Sequence, residues 1–516
     1  MAKRTRAGDD DESEYEVDGE SDASFTPSSK RARTKSAAPR KKQPMKKAQK
    51  SQRHVPDVNE QDDIEVHPVS RHIIADAAPM QSALLEWYAG VHEARGMPWR
   101  KPYDPTLGPD DRAQRAYEVW VSEIMLQQTQ VATVIPYYTR WMQKFPTVRD
   151  LAAADIDTVN AHWKGLGYYS RAARLLQGAQ KVVAELGGRL PGTAQDMEAQ
   201  IPGIGRYSAG AICSIAYNER VPVLDGNVKR LMARLLALHA PPTAKQSLDV
   251  LWAGATAMVQ GSARPGDVNQ ALIELGATVC KVQNPSCGPC PLQAWCGAHQ
   301  QQHAPAPAAS DAPRGGVPDI EELCTLCAPL PRGSPVTAFP PKAPRKQPRA
   351  ELDVVSVVEW RHPRTHARHF LLVRRSDTGL LAGLHEFPTQ PAVSPDLALA
   401  EQHALPQKLL ADILATPPRA GPPPHADADT DAPLTIAQIT PAGDVPHVFS
   451  HIRKTYRVQW VLLAGGGVHP PALAPAQGPR AAGAPPRALW ARLADVPDAN
   501  IGTGVLKVWR QVCALW

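Results

Sequence analysis

The sequence predicts a multidomain protein in which an all-α domain is followed by an α+β domain, behind a disordered N-terminal tail. The first 70 residues carry blocks of like charge and cannot bury a core. From about residue 80 to 300, apolar residues recur at helical spacing, and from Val354 onwards β-branched stretches predict strands. The predicted boundaries are a tail over 1–70, a helical domain over 71–300, a connector over 301–350 and a second domain over 351–516.

The composition is typical of a folded protein with long linkers. The chain has 516 residues, of which 52 are proline, and aromatic residues make up only 6%. No apolar run is long enough to span a membrane, and the charged N-terminus lacks the hydrophobic segment of a secretory signal. We therefore expect a soluble intracellular protein without a membrane partner, whose eight cysteines are free thiols or metal ligands.

The net charge of +6 is concentrated in the tail. The first 53 residues hold 14 basic and nine acidic side chains, so the rest of the chain is nearly neutral. The basic clusters at 30–33 and 40–47 resemble a nuclear import signal. An electrostatic arm on DNA is an alternative that is compatible with this signal. We expect a nuclear protein, with mitochondria as a second destination.

The helical domain is organised around residues 117–131. Val119, Trp120 and Leu126 lie three or four positions from Glu123, so on a helix they surround its carboxyl group. Desolvation there predicts a raised pKa for Glu123, which suits a general acid. A helix whose glutamate merely reaches solvent explains this stretch equally well. The other predicted helices cover Ser82–Glu93, Pro136–Phe145, Leu151–Trp163, Ser170–Leu186 and Met197–Asn218, the last broken at 201–206.

The break at 201–206 predicts a backbone site for an anion. Gly203 and Gly205 precede a helix of small residues, so turn amides and a helix N-terminus can approach a phosphate closely. This is the pattern of a helix–hairpin–helix element, although a plain interhelical turn also fits. Asp225 follows in Asp-Gly-Asn, where its carboxylate could face a cation developing on a sugar. Taken alone, Asp225 is better explained as a helix cap.

Four cysteines lie within seventeen residues, and in an intracellular chain such a group predicts metal ligands. Zinc sites usually show two short cysteine pairs, whereas this group has only one. A four-cysteine iron–sulfur cluster fits the spacing better. The predicted ligands of this [4Fe–4S] cluster are Cys280, Cys287, Cys290 and Cys296.

Six motifs together closely resemble the adenine DNA glycosylase family of the MutY type, within the endonuclease III superfamily. The resemblance is specific over about residues 80–300 and looser over 350–516. It implies a helix–hairpin–helix glycosylase domain, a cluster loop and a Nudix-like C-terminal domain. The motifs are Pro98–Arg100, Trp120–Gln130, Trp163–Arg171, Pro202–Ser208, Leu224–Arg230 and the cysteine loop.

The resemblance implies a monofunctional enzyme that removes adenine paired with 8-oxoguanine or guanine in double-stranded DNA. Glu123 matches the acid that protonates adenine at N7, and Asp225 matches the carboxylate that stabilises the oxocarbenium ion. Tyr207 stands where bifunctional relatives carry a nucleophilic lysine, and Asn227 matches a polar residue near the sugar. A bifunctional glycosylase and lyase is the alternative, and Lys229 could still react adventitiously with the opened sugar.

Further substrate contacts are implied by the same resemblance. Gln270 matches a contact to the flipped adenine, and Trp99, Arg100 and Leu126 match residues that line its pocket. Gln128, Thr129 and Tyr168 match residues that wedge into the duplex beside the oxidised guanine, as base flipping requires. Gly203 and Gly205 would hold the DNA backbone. We expect a monomer, and repair and replication proteins are candidate partners.

The connector and the second domain complete the resemblance. Cys324 and Cys327 match a pair that holds zinc in some animal relatives, but Leu323 lies close to the place of a missing third cysteine. His67 or His72 could complete a zinc site only with another ligand. The paired glutamates of a hydrolytic Nudix box do not follow Glu386, which argues against nucleotide hydrolysis. Ser450 matches the loop that checks the oxidised guanine. Predicted strands cover Val354–Trp360, His369–Val373 and Val448–Leu463, with loop insertions at 417–445 and 464–487.

Overall fold

The computed structural model describes residues 67–304, 323–342, 347–376, 379–420, 432–449, 452–475 and 487–516. The chain forms two compact units that alternate along the sequence. Within the described residues, the first unit comprises the parts of Met1–Trp87, Leu224–Met258 and Ala271–Lys342 given above, and the second comprises those of Tyr88–Val223, Val259–Gln270 and Ala343–Trp516. The tail up to residue 66, including the predicted import signal, lies outside the described residues. No helix among the described residues is long and apolar enough to cross a membrane.

Between residues 78 and 302 every regular element that the structure describes is helical, as predicted. The α-helices are α1 (Ala78–Val91), α2 (Pro109–Leu126), α3 (Val131–Lys144), α4 (Val148–Ala152), α5 (Ile156–Trp163), α6 (Ser170–Glu185), α7 (Ala194–Gln200), α8 (Arg206–Ala216), α9 (Gly226–Leu235), α10 (Lys245–Val259), α11 (Pro265–Thr278) and α12 (Gly297–Gln302). The predicted break at 201–206 separates α7 from α8.

The single helix predicted over Leu151–Trp163 was wrong. The chain forms the two short helices α4 and α5, and Asp155 caps the second by accepting a hydrogen bond from the Thr158 amide at 2.8 Å. An aspartate satisfies the free amides of a first turn better than it continues a helix interior, so it starts a new helix.

The core of the helical part of the second unit surrounds α2. Trp120, Trp141 and Trp163 are almost fully buried, and the last two rings meet edge to face at 5.5 Å. Trp120 lies so close to Gly178 of α6 that a Cβ atom at Gly178 would come within 2.7 Å of its ring. The middle of α2, which carries Glu123, is therefore held rigidly between neighbouring helices.

The C-terminal part of the second unit is a sheet with a helix on each face. Val357 packs on one face with Val508 and Trp509, and Val358 packs on the other with Leu410, as expected for alternating strand residues. The strand order is β3-β2-β1-β7-β6-β5, with β4 beside β1 and β8 beside β2. The elements are β1 (Arg349–Arg361), β2 (Arg368–Arg374), β3 (His385–Glu386), β4 (Thr389–Gln390), α13 (Leu399–Ile413), β5 (Arg419–Ala420), β6 (Thr435–Phe449), β7 (Ile452–Ala464), β8 (Ala488–Arg492) and α14 (Thr503–Cys513).

Two predictions for this sheet were wrong. The stretch Val448–Leu463 is not one strand, because β6 ends at Phe449 and its antiparallel partner β7 begins at Ile452. The predicted insertion 417–445 contains β5 and most of β6, although residues 421–431 lie outside the described part. Pro441 and Pro446 are tolerated because β6 meets β5 only at Thr435 and Ile436, so its outer edge needs no amide donors further along. Of the insertion 464–487, residues 476–486 also lie outside the described part.

Candidate active site and metal-binding residues

Glu123 lies in the interior of the helical domain, beside the residue that the sequence singled out at the head of the hairpin helix. The Glu123 residue is only 9% exposed, so the alternative of a solvent-reaching glutamate does not hold. Tyr207, in the first turn of α8, donates a hydrogen bond from its hydroxyl to Oε2 of Glu123 at 2.9 Å. Residues 84 positions apart in the chain thus form one polar pair in a largely apolar setting.

The hairpin between α7 and α8 has the backbone that its glycines predicted. Gly203 has a φ of +79°, a conformation that side chains disfavour, and a Cβ atom there would lie 2.8 Å from Cβ of Arg174. Gly205 is the N-cap of α8 in an extended conformation and carries no side chain that could block the helix N-terminus. The amides of this turn are therefore suited to an anion such as a DNA phosphate.

The predicted wedge residues lie on two turns. Gln128 is exposed in the turn after α2, and Tyr168 is 46% exposed in the turn before α6. Both adopt positive φ angles, +53° and +46°. Thr129 is half-buried and donates its hydroxyl to the Gln127 carbonyl at 3.2 Å.

The residues expected to line an adenine pocket have defined neighbours. Trp99 is buried and meets Tyr138 edge to face at 5.2 Å, while the Arg100 guanidinium lies 5.5 Å from the centre of the Tyr88 ring. Leu126 is half-buried against the helical core, and Gln270 donates to the Gly266 carbonyl at 3.2 Å. Their contact with a base stays a prediction.

Asp225, in the first unit, is the N-cap of α9. Its Oδ1 accepts from the Val228 amide at 2.7 Å, and its Oδ2 accepts from the Asn227 side chain at 2.9 Å. Burial raises the pKa of Asp225, while these two hydrogen bonds and the charge of Arg230 act in the opposite direction. The cap interpretation is thus confirmed, and the same carboxyl group is surrounded by groups that favour its anion. Lys229, on the next turn, is half-buried.

Two buried arginines that the sequence analysis missed connect this helix to the cysteine loop. Arg230 donates to Oδ1 of Asn227 at 3.0 Å and to the Cys280 carbonyl at 2.9 Å. Arg234, 2% exposed, donates to the Cys280 sulfur at 3.3 Å and to the Lys281 carbonyl at 2.7 Å. The available signal was their spacing, since positions 230 and 234 lie on the buried face of an amphipathic helix.

The four predicted cluster ligands line one pocket. Cys280, Cys287, Cys290 and Cys296 share it with apolar residues such as Leu231 and Leu292. Burial raises the pKa of Cys290 to about 12 and that of Cys296 to about 11. Thiols in such a setting ionise only when a cation compensates the charge, so the donor set fits a metal centre.

The connector cysteines have a complete set of partners, contrary to expectation. His67, His72, Cys324 and Cys327 place one ligand atom each within 4.8 Å of all the others. His72 Nδ1 lies 2.8 Å from the Leu236 carbonyl and must donate there, which leaves Nε2 free of a proton and 3.3 Å from the Cys324 sulfur. Both candidate histidines lie in this group, so the further partner that the sequence left unidentified is the second histidine.

The comparisons with known proteins agree with this architecture. Residues 121–255 match the HhH-GPD superfamily of base excision DNA repair proteins, and residues 363–511 match the NUDIX domain. Fold and motifs therefore define a DNA glycosylase of base excision repair, an enzyme that hydrolyses N-glycosyl bonds, with a Nudix-like C-terminal domain.

Two similar relatives identify a family within this class of enzymes. The adenine DNA glycosylase of Rattus norvegicus is 43% identical over 449 residues, covering 85% of this chain and 78% of the rat protein, and that of Homo sapiens is 41% identical, covering 85% and 74%. The chain belongs to the adenine DNA glycosylase family. Among solved structures, the C-terminal domain of mouse MUTYH in complex with human PCNA is 27% identical, covering 32% of this chain and 90% of that domain with a TM-score of 0.21.

Proposed function

We propose that this enzyme is a monofunctional glycosylase that removes adenine paired with 8-oxoguanine or guanine and leaves an abasic site. The observation that carries the proposal is the hydrogen bond from Tyr207 to Glu123. A lyase needs an amine to form a Schiff base, and the head of the hairpin helix, where the bifunctional relatives carry a lysine, holds a hydroxyl group instead. The buried carboxyl group beside it has the role of an acid rather than of a base for an attacking lysine.

In the proposed reaction, Glu123 gives its proton to N7 of adenine. The bond between C1′ and N9 then breaks, adenine leaves with the electron pair, and positive charge develops on the sugar. The Asp225 carboxylate stabilises this cation, and a water molecule adds to C1′ and loses its proton to a base such as the Glu123 carboxylate. Tyr207 keeps the Glu123 carboxyl group oriented through each step.

The preference for 8-oxoguanine is assigned to the C-terminal domain. Support comes from the Phe-Ser-His sequence at 449–451, because Phe449 ends β6 and pairs with Ile452, the first residue of β7. Ser450 itself lies outside the described residues, so its contact with the oxidised base stays a prediction.

Single-turnover excision from a duplex with adenine opposite 8-oxoguanine tests this function. Glu123→Gln is expected to lower the rate by about 10²-fold or more while mismatch binding persists. Glu198→Gln, an exposed substitution on α7, is the matched control and should leave the rate unchanged. Excision by the Glu123 variant at the wild-type rate, or borohydride trapping of wild-type enzyme on DNA in proportion to turnover, would contradict the proposal.

We also infer that the four cysteines of the loop hold a [4Fe–4S] cluster. A cluster there would join residues 280–296 into one rigid loop and could carry electrons. Arg234 supplies a charge-assisted hydrogen bond to the Cys280 sulfur, a contact that favours thiolate ligation. Iron and sulfide content should be close to four atoms of each per chain, roughly as such clusters require, and Cys290→Ser should lower both.

A zinc ion is assigned to His67, His72, Cys324 and Cys327 on the basis of their convergence. Two imidazole nitrogens and two thiolates form a usual tetrahedral zinc set. Metal analysis should find zinc in the wild-type protein and lose it in His67→Ala and Cys327→Ser. Retention of full zinc content by His67→Ala would show that the second histidine is not a ligand.

A further inference from the structure

Gln128 and Tyr168 are exposed and lie on two turns with strained backbone. Both residues have positive φ angles, a region that costs free energy for any residue with a side chain. Gly165 and Gly167 add positive φ angles of +105° and +73° to the second turn. Turns of this kind keep such backbone only when the surrounding structure holds it in place.

One buried side chain contacts both turns. Arg171, in the first turn of α6, is 8% exposed, and the two terminal nitrogens of its guanidinium point to different turns. Its Nη1 donates to the end of α2 and the turn that follows, and its Nη2 donates to the turn before α6. The accepting carbonyls are those of Ile124 at 2.8 Å, Met125 at 3.2 Å and Gln127 at 2.5 Å for Nη1, and of Leu166 and Gly167 at 3.2 Å each for Nη2.

The guanidinium also lies among aromatic rings. Its central carbon is 5.2 Å from the centre of the Trp163 ring and 5.6 Å from that of Tyr168. Burial lowers the pKa of Arg171 to about 10, so the side chain remains a cation at neutral pH. A buried cation is costly unless hydrogen bonds compensate for the lost water. The planar guanidinium can donate to two turns at once, which a single ammonium group cannot do with the same geometry.

We propose that Arg171 is a positioning residue that fixes both turns in one arrangement, so that Gln128 and Tyr168 enter the duplex together. The inference rests on the proposed function, because it assigns those two residues to DNA. Arg171 itself is buried and acts through them. With both turns already ordered, the conformational entropy of the wedge is lost on folding rather than on DNA binding.

The test replaces the fork by a single ammonium group in Arg171→Lys. Arg115→Lys is the matched control, because Arg115 is also buried in the helical domain and donates to Glu118 and the Lys101 carbonyl instead of to the turns. Wild-type enzyme should excise adenine, Arg171→Lys should do so at least about 10-fold more slowly under single turnover, and Arg115→Lys should stay within about twofold. Equal losses in both variants at equal melting temperature would overturn the inference. Absence of excision by wild type would instead refute the proposed function.

A double-mutant cycle separates positioning from general packing. In a Tyr168→Leu background the wedge is already lost, so Arg171→Lys should reduce the rate by no more than about twofold further. If Arg171→Lys slows excision in the Tyr168→Leu background as much as it does in the wild type, Arg171 acts independently of the wedge. Fluorescence of 2-aminopurine placed beside the target should show less unstacking in Arg171→Lys than in wild type. Arg171→Gln, which keeps an amide donor without the buried charge, undergoes the same comparisons if the lysine variant does not fold.

Discussion

Asp225 combines a cost in stability with a role in chemistry. Its pKa in the folded protein is raised by burial, so the contribution of this carboxyl group to folding is full at acid pH and is lost as pH rises through that pKa. Ionisation of this buried carboxyl group therefore opposes folding. Asn is as good an N-cap as Asp, so Asp225→Asn keeps the cap to Val228 and removes the charge.

We expect Asp225→Asn to lower single-turnover excision by about 10²-fold or more, because it removes the charge opposite the developing cation. The melting temperature at pH 7.5 should stay equal or increase. Thermal unfolding beside the excision assay checks both expectations. A clear drop in melting temperature would mean that the anion, rather than the cap, stabilises the fold.

Asn227 sets how easily Asp225 ionises. Its amide donates to Asp225 Oδ2, so Asn227→Ala should raise the pKa of Asp225 further. Since excision needs the anion, activity is present above this pKa and is lost as pH falls through it. The acid limb of the pH–rate profile should move to higher pH, by a few tenths of a unit to about one. An unchanged acid limb would show that Asp225 does not control it.

Single residues could be predicted where the signal was local. The apolar spacing around Glu123 and the Asp-Gly-Asn of Asp225 each lie within a few residues, and the structure shows a buried carboxyl group and a helix cap. The contact of Tyr207 with Glu123 joins positions 84 apart and could not be derived from spacing, and the resemblance named Tyr207 without this contact. The pairing of His72 with Cys324 joins positions 252 apart, which no local pattern reports.

At the level of elements, the hairpin between α7 and α8 offers a controlled test. Gly203→Ala adds a side chain at a φ of +79° and within 2.8 Å of Arg174, which should cost about 1–2 kcal/mol from the backbone alone. Gly192→Ala is the matched control, because a Cβ atom there meets nothing within 4 Å and the backbone φ is not positive. Gly203→Ala should lower the melting temperature and weaken duplex binding, whereas Gly192→Ala should do neither.

The duplex affinities of Gly203→Ala and Gly192→Ala are measured at one salt concentration, and the folding of both variants is monitored separately. Equal affinity of the two variants would mean that the hairpin backbone does not hold DNA. A loss of stability without a loss of affinity would assign Gly203 to packing alone.

The predicted helix bounds agree with the observed ones where helical periodicity is uninterrupted, as in α6. The sequence failed where a single polar residue or the sheet environment decided the outcome. Asp155 divided one predicted helix into two by capping, and β6 formed through a stretch whose prolines had suggested a loop. The partners of β6 are visible only in three dimensions, whereas the Asp155 cap lies within three residues and was a sequence signal that the prediction overlooked.

At the scale of the whole molecule, the order of a helical domain and a Nudix-like domain was predictable, because each has its own periodicity. The interleaving of the two units was not. The first unit draws together segments before Trp87, around Leu224–Met258 and after Ala271. This assembly brings His67 and His72 to the connector cysteines, so the histidine and cysteine group is formed by distant segments rather than by the connector alone.

The charge distribution leads to a prediction for the complete chain. Most of its net positive charge lies in the first 53 residues, whereas the proposed chemistry uses residues of the glycosylase domain. Removing residues 1–53 should therefore weaken non-specific duplex binding and reduce its dependence on salt, because fewer counterions are released. The slope of log affinity against log salt should fall by about two or more. Single-turnover excision at saturating enzyme should not change. If the slope stays the same, phosphate contacts come from the folded domains, and the tail has another role such as nuclear import.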